Sequence, residues 1–546
     1  MTGVIIQPMR RTTLAVLLGF ALVYAASAFV FPLMEPDEGR YLTIPYEMAE
    51  SGDFVLPTLN GVPYPDKPPL QYWVTAGLMA AFGPHVWVGR VFPTACTLFA
   101  ALLLFLFVRR ESDEERGLLA AAVFLGSLYT LGVGRLNTLD AAFGAFVAWA
   151  LFEARRHLQG GGRRHLYLGW GALLLAFFTK GLAAPVLVGG ALLAWSVLSG
   201  RPLRWLDLVR PLPLAVFAAA VVVWLWLLER SCPGAGWFFV VHEHFARFTT
   251  EAHHHGAPWY YFLLVLAGGL MPWTPRIFRL KPRNGDAALF LASWAGFVLL
   301  FFSVSSSKLP TYLTPMWPAA CGLFALWFAE ARGAAARAAA AGGAFLLAAA
   351  MAAAPFHLVE RYGAAVVGDG GLPLSLLAAG IAAAAGFREM RRASGAGGIV
   401  GTALMVALAL AVFSAPFGEA MDRLKGSEGI ARVLEREARA GDRPARYKSE
   451  LQGLPFLLGE RVAVLGSPGE LAFGVERLAP EERSRWFPTK AEYRRAVREG
   501  ERFLVVMRRG RMEEFEREWG PARLVGSWGR FVVMRSVPPR EERKER

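Results

Sequence analysis

"FPLMEPDEGRYLTIPYEMAESGDFVLPTLNGVPYPDKPPLQYW", Phe31 to Trp73, follows a run of hydrocarbon side chains and abruptly gathers Asp, Glu, Lys, Pro and Tyr. The run before it, Thr12 to Phe31, has the roughly 20 residues that a membrane-crossing helix needs. Arg10 and Arg11 stand in front of that run. Lys and Arg gather on the cytoplasmic side of a membrane, so the N-terminus is expected inside and the quoted stretch outside. No small-residue cleavage site follows, so the first segment reads as a retained helix. At the far end, Leu70 to Phe82 is apolar but too short to cross comfortably, which predicts an interfacial or re-entrant helix.

The rest of the chain extends this pattern. Apolar residues make up 55% of the 546 positions and charged residues only 19%, well below the roughly 25% usual in soluble domains. With a mean hydropathy of +0.36, the composition is that of a polytopic membrane protein. Long Ala, Leu and Val runs without alternation favour helices over a barrel. The net charge of +14 would point to nucleic acid in a soluble protein. Here the Arg residues fall between apolar runs, and no nucleic-acid partner is expected. Cys96, Cys232 and Cys321 form no CxxC pair or disulfide framework.

Assigning each apolar run in turn, among them Val86–Val108, Leu118–Gly134, Trp259–Trp273, Ala287–Ser303 and Thr311–Phe328, gives about 13 crossings. The Arg clusters 109–116, 155–164, 201–210, 276–283, 332–337 and 388–392 all then fall inside. The polar motifs "EPDEGR", "YPDKPP", "RLNTLD", "TKG", "HEHFARF" and "SSSKLPTY" all fall outside. A single site on the outer face is the simplest reading. The expected organisation is a transmembrane unit over residues 1–418, with its first outer loop at 32–85, and a soluble outer domain over 419–546. In that tail, helix-like stretches such as "PTKAEYRRAVREGERF" alternate with strand-like runs such as "RFLVVMRR" and "RFVVMRS". This predicts a small α/β domain. No internal repeat is visible, which argues against transporters built from inverted halves.

Asp37 and Glu38, just past a helix end, are placed to meet a lipid-borne substrate, where a carboxylate can deprotonate or orient a nucleophile. Lys67 can hold a phosphate as a point charge. The bland alternative for the acids is a solvated loop at the membrane boundary. Asp140 is equally readable as a helix N-cap. Lys180 is also readable as a lysine snorkelling to the interface. In "HEHFARF", imidazole and carboxylate both suit zinc, although a His-rich loop is also commonly just solvated.

Together, the Phe31–Trp73 stretch, "RLNTLDAAF", "FFTKGLAAPVLV", "HEHFARFTTEAHHHGAPWYYF", "LMPWTP", "SSSKLPTYLTPMWP" and "LPFLLGERVAVLGSPGELAFG" resemble, in this order, the bacterial aminoarabinose transferases of lipid A. These are membrane glycosyltransferases of the GT-C type, distantly related to protein O-mannosyltransferases. The resemblance implies that Asp37 is the catalytic carboxylate, with Glu38 as its acidic neighbour and Asp140 as a second acid. It implies that Lys67, Lys180, Arg247 and Lys308 face the donor phosphate, with Tyr312 nearby. It also implies that Asp66 and His244 help gather a divalent ion, zinc. Asp66 departs from the family's usual Glu at that place.

The implied reaction moves a sugar, 4-amino-4-deoxy-L-arabinose, from undecaprenyl phosphate to a lipid A phosphate, with inversion at the anomeric carbon. The implied setting is the periplasmic face of the bacterial inner membrane, among membrane lipids. Another glycan or a protein as acceptor, another sugar, and a lipid or sugar transporter are the competing readings. A transporter should carry charged or broken-helix features near mid-membrane, whereas here the polar motifs cluster at one face.

Overall fold

The computed structural model describes residues 9–241, 257–328, 334–363, 366–368, 370–391 and 395–538. Its first half runs α1 (Arg11–Ser27), α2 (Asp37–Ser51), a β1–β2 hairpin (Thr58–Leu59, Val62–Pro63), α3 (Leu70–Phe82), α4 (Val86–Glu111), α5 (Glu114–Leu125), α6 (Leu128–Val133), α7 (Leu139–Leu158), α8 (Arg163–Lys180), α9 (Ala183–Leu198) and α10 (Pro211–Ser231). Longer helices follow at Asp286–Val304, Ala334–Tyr362, Gly371–Arg391 and Ala396–Lys425. Among the described residues, six helices are long and apolar enough to cross a membrane, and α1 and α9 are shorter apolar helices. The chain is a multi-pass α-helical membrane protein with a small α/β domain at its C-terminal end.

Several expected crossings are broken, for local reasons. The run Leu118–Gly134 divides into α5 and α6 because the Ser127 side chain caps α6 and also accepts a 3.0 Å bond from the Trp317 indole. Within Trp259–Trp273 only Tyr261–Gly269 is α-helical, and a 3-10 turn follows at Thr274–Arg279. Thr311–Phe328 opens as a 3-10 segment, Pro310–Met316, where Pro310 and Pro315 cannot donate to a helical ladder. The short helix at Leu70–Phe82 forms over the expected residues.

The C-terminal sheet has the order β4-β3-β5-β7-β6, over Asp442–Tyr447 (β3), Ala463–Leu465 (β4), Arg502–Arg508 (β5), Ala522–Trp528 (β6) and Phe531–Ser536 (β7). β3 is parallel to β4 and β5, and the remaining pairings are antiparallel. Because side chains alternate along a strand, β5 sends Phe503, Val505 and Met507 to one core with Phe515 and Trp519, and Leu504 and Val506 to another with Ile430 and Leu434. A strand covered on both faces needs a near-continuous apolar run, as β5 and its neighbour β7 have.

Residue 418, the expected domain boundary, lies inside the helix Ala396–Lys425. Its last turns already belong to the domain: Asp422 accepts from the Trp528 indole at 2.8 Å and from the Gly429 amide at 3.2 Å. The first polar loop, residues 32–85, and the domain are interlocked. Asn60 and Gly61, both with positive φ, turn the β1–β2 hairpin, and the Asn60 side chain bonds both backbone groups of Val462 at 2.8 and 2.9 Å.

Candidate functional site

The site starts at the entry to α2. Glu35 is buried, and its two carboxylate oxygens accept from the backbone amides of Gln452 and Gly453, at 3.0 and 2.8 Å. Burial pushes its pKa up to about 8, with the Ser427 hydroxyl and the two amides opposing. Gly39 lies directly under this contact: a Cβ there would fall 2.5 Å from the Gly453 nitrogen. A side chain at residue 39 would therefore hold the domain off the loop.

Asp37 and Glu38, adjacent in sequence, occupy opposite environments. The Asp37 side chain is 62% exposed and accepts from Arg40 at 3.2 Å. Glu38 is 1% exposed and takes a two-pronged contact from Arg90, at 2.8 and 2.7 Å, together with the amides of Met34 and Asn137. Arg90 spends its remaining donors on the carbonyls of Ala28, Phe31 and Pro32. Glu38 therefore ties α2 to α4 and to the "RLNTLD" loop. Asn137 in that loop donates to the Tyr41 carbonyl at 2.9 Å and accepts from Gln71 at 2.8 Å.

Arg40 links Asp37 to the C-terminal domain. Its second guanidinium nitrogen pairs with Glu470 at 2.7 Å, and Glu470 also accepts from Tyr64 at 3.1 Å and from Gln452 at 2.5 Å. Burial works against the Arg40 charge, but Tyr64, Glu470, Tyr41 and Asp37 outweigh it and hold its pKa well above the ordinary value. Burial likewise pushes Tyr64 well above the usual phenol range, so its hydroxyl remains a donor.

Asp140 lies in the first turn of α7, whose N-cap is Thr138, and its carboxylate meets the Lys180 ammonium at 2.5 Å. The capping alternative is thus not the one adopted. Lys180 ends α8 and turns inward, over the rings of Phe143 and Tyr312 at 5.7 and 5.4 Å, instead of snorkelling outward. Phe178, two residues before it, stacks on Trp73 of α3. Lys308, in the turn before Tyr312, donates to the Ser305 carbonyl at 2.7 Å, and Lys67 donates to the Asp66 carbonyl at 3.0 Å. Beside Asp140, a cleft with about 310 Å³ of empty space is lined by Thr97, Tyr129, Gly134, Ala141, Thr314 and Trp317.

Arg247 and His244 lie outside the described residues. Among the described residues no group of three or more His, Cys, Asp or Glu is arranged to hold a metal ion. Asp66 is buried, and no such set surrounds it among the described residues. The described donors do not by themselves make a zinc site.

Arg40, Arg90, Asn137 and Glu470 belong to this network but did not stand out as site residues in the sequence. Arg40 and Asn137 sit inside quoted motifs. Arg90 interrupts an apolar run, which is the signal that a buried partner is needed. Glu470 is 430 positions from Arg40, and no local pattern joins them.

Residues 66–226 match the family described as dolichyl-phosphate-mannose-protein mannosyltransferase. Residues 435–536 match the aminoarabinose transferase C-terminal domain, the unit that delivers Gln452 and Glu470. The aminoarabinose transferases are thus what the chain's C-terminal domain is similar to, and the relatives and solved structures that follow carry the same name. It is 35% identical over 321 residues to an undecaprenyl phosphate-alpha-4-amino-4-deoxy-L-arabinose arabinosyl transferase of Pseudomonas aeruginosa, covering 56% of this chain and 57% of the relative. A second such transferase, from Sodalis glossinidius, is 33% identical over 58% of this chain and 59% of its own length. The matched region thus spans little more than half of these relatives. The fold of the aminoarabinose transferase family extends over nearly the whole molecule: ArnT from Cupriavidus metallidurans, in a crystal structure with undecaprenyl phosphate bound, superposes with a TM-score of 0.82 at 23% identity, covering 97% of this chain and 98% of that one. Its apo structure gives 0.81.

Proposed function

We propose that this chain is an inverting glycosyltransferase that moves 4-amino-4-deoxy-L-arabinose from undecaprenyl phosphate to a phosphate of lipid A, at the periplasmic face of a bacterial inner membrane. The observation that carries the reading is the joint construction of the site: the domain that matches the aminoarabinose transferases supplies Glu470 to the Arg40 and Asp37 group of the first loop. The names of the relatives and the bound lipid of the fold neighbour point to the same donor.

The scissile bond joins the anomeric carbon to a phosphate. The leaving group is already an anion and needs charge stabilisation more than protonation. Lys180, Lys67 and Lys308 supply cations for it, in addition to Arg247. Lys180 waits on Asp140, and exchange of that carboxylate for phosphate lets the site hold its charge balance before and after donor binding. A lipid A phosphate is ionised at neutral pH, so the acceptor needs no strong base. Asp37, the exposed acid, then orients the acceptor or amino sugar, or stabilises positive charge building on the sugar ring. Glu38, locked to Arg90, keeps Asp37 and the "RLNTLD" loop in register. The match of residues 66–226 to a protein mannosyltransferase family supports one second reading, a related transferase acting on protein or another glycan.

The test is mass spectrometry of lipid A from a host that supplies the aminoarabinose carrier lipid and expresses the wild-type chain or Asp37→Asn. Addition of one aminopentose that depends on Asp37 is expected. Unmodified lipid A with the folded wild-type protein in the membrane overturns the assignment of donor and acceptor. Glycosylated protein in the same cells would favour the second reading.

A further inference from the structure

Two arginines from distant parts of the chain meet at the end of the bundle that carries the C-terminal domain. Arg361 lies in the last turn of the helix Ala334–Tyr362, and Arg530 sits in the turn between β6 and β7. Their guanidinium carbons lie 5.5 and 5.9 Å from the ring centre of Tyr362. Both arginines are exposed, as is Tyr362. The backbone holds Arg530 in place: its amide donates to the Arg423 carbonyl at 2.9 Å, and a Cβ on Gly529 would collide with that same carbonyl.

Among the described residues no carboxylate pairs with either arginine. The acids at this end of the bundle are committed elsewhere: Glu419 accepts from Arg423 at 2.8 Å, and Asp422 from Trp528 and Gly429. Glu360 precedes Arg361 in the helix, and consecutive helical residues do not face each other. Two like charges held over one ring repel, and an anion between them turns that repulsion into attraction. Because both arginines are open to the surroundings, an external anion reaches them. A guanidinium presents paired N–H donors that fit two oxygens of a phosphate.

One turn down the same helix, about 5 Å, the surface becomes apolar. Pro355, Leu358, Val367, Phe413, Pro416 and Phe417 line a groove with about 200 Å³ of empty space between the helices Ala334–Tyr362, Gly371–Arg391 and Ala396–Lys425. Pro355 and Pro416 each remove a ladder hydrogen bond from their helix, a local reason for a gap between close-packed helices. Positions 354, 358 and 361 share one face of the first helix, so Arg361 stands above the groove. Phe356 and Val359 beside it are exposed hydrocarbon, a flank that bulk membrane lipid covers. None of these helices carries Asp37, Asp140, Lys180 or Lys308. An arginine pair over an apolar groove fits a glycerophospholipid, whose glycerol bridges a phosphate and an acyl chain over one helical turn. The groove takes part of one chain, not the several chains of lipid A. A zwitterionic headgroup would bring an ammonium beside two arginines, so the fitting lipid is anionic. We propose that Arg361 and Arg530 hold the phosphate of phosphatidylglycerol, with one acyl chain in the groove below, and that this lipid ties the C-terminal domain to the helix bundle.

The experiment is native mass spectrometry of the full-length protein in detergent, titrated separately with phosphatidylglycerol and phosphatidylethanolamine of identical acyl chains. It compares wild type, the double variant Arg361→Gln/Arg530→Gln, and Leu358→Trp, which fills the groove. Wild type is expected to bind phosphatidylglycerol at least fivefold more tightly than phosphatidylethanolamine. The double variant should lose that preference, and Leu358→Trp should weaken phosphatidylglycerol binding at least fivefold. Phosphatidylglycerol should also raise the melting temperature of wild type and leave that of the double variant unchanged. Both arginines are exposed, so the double variant decides the matter even if Leu358→Trp fails to fold. Equal affinity of wild type for the two lipids overturns the proposal, as does a preference that survives in the double variant. Displacement of bound phosphatidylglycerol by undecaprenyl phosphate or lipid A overturns it too. The readout is binding, so it stands or falls independently of sugar transfer.

Discussion

Replacing Glu38 by Gln separates two roles that the sequence left together, because this residue was expected to share catalysis with Asp37. In the structure its carboxylate accepts two bonds from Arg90 and one each from the amides of Met34 and Asn137, at 2.7 to 3.0 Å. The side chains of Glu38 and Arg90 are 1% and 2% exposed. Removing one partner of such a buried pair costs about 3–5 kcal/mol, because the other charge is left without its counterion. At roughly 2 °C per kcal/mol for a large chain, Glu38→Gln should melt about 6–10 °C below wild type. Arg90→Met in the Glu38→Gln background removes the stranded charge, and the double variant should regain a coupling energy of up to about 3 kcal/mol. The assays are thermal melting in detergent and transfer to lipid A by the purified proteins. If Glu38 is a positioning residue, activity recovers with stability in the double variant. A Glu38→Gln protein that melts with wild type but transfers no sugar, unrescued by Arg90→Met, would refute this and make Glu38 a chemical participant.

Three further outcomes are expected. Lys180→Met should lower transfer by about 100-fold, the effect of removing one preorganised charge from a reacting centre, while Asp140→Asn, which removes the carboxylate that competes with phosphate for Lys180, should lower the KM for the donor; steady-state kinetics with the carrier-lipid donor checks both. Gly39→Ala should loosen the C-terminal domain, because its Cβ would sit 2.5 Å from the Gly453 nitrogen, and limited proteolysis in the 440–470 region should rise over wild type. The raised Glu35 pKa means that the folded protein holds a proton that the unfolded chain releases above about pH 4.5, so stability at this contact is full below that pH and falls as pH rises toward about 8. Hydrogen exchange at the Gln452 and Gly453 amides should accelerate over that window in wild type and lose this dependence in Glu35→Gln.

Much of the fold was legible because hydrocarbon runs and Arg clusters obey a one-dimensional rule. The helices at Val86–Glu111 and Asp286–Val304, the short Leu70–Phe82 helix and strands β5 and β7 all fall where periodicity put them. The broken helices were not legible. Ser127 ends a run of suitable hydropathy through a bond to Trp317, 190 positions away. In the site, Asp140, Lys180 and Tyr312 come together because α7 begins where α8 ends and the Pro310–Met316 segment packs beside them. The opposite environments of Asp37 and Glu38 depend on which side of one helical turn meets Arg90. Arg90 itself was hidden inside an apolar run whose length spoke only of crossing.

The contact between Arg40 and Glu470 also bears on how the protein comes into being. A ribosome delivers the first loop early and residue 470 only after every helix of the bundle has been made. Until that last portion has been made and has folded, Arg40 has no Glu470, Glu35 has no amides to receive, and the hairpin at Asn60 has no Val462 to hold. The nascent chain therefore carries Glu35, Arg40 and the Asn60 hairpin without their final partners, and this network closes only after the C-terminal domain has folded onto the first loop.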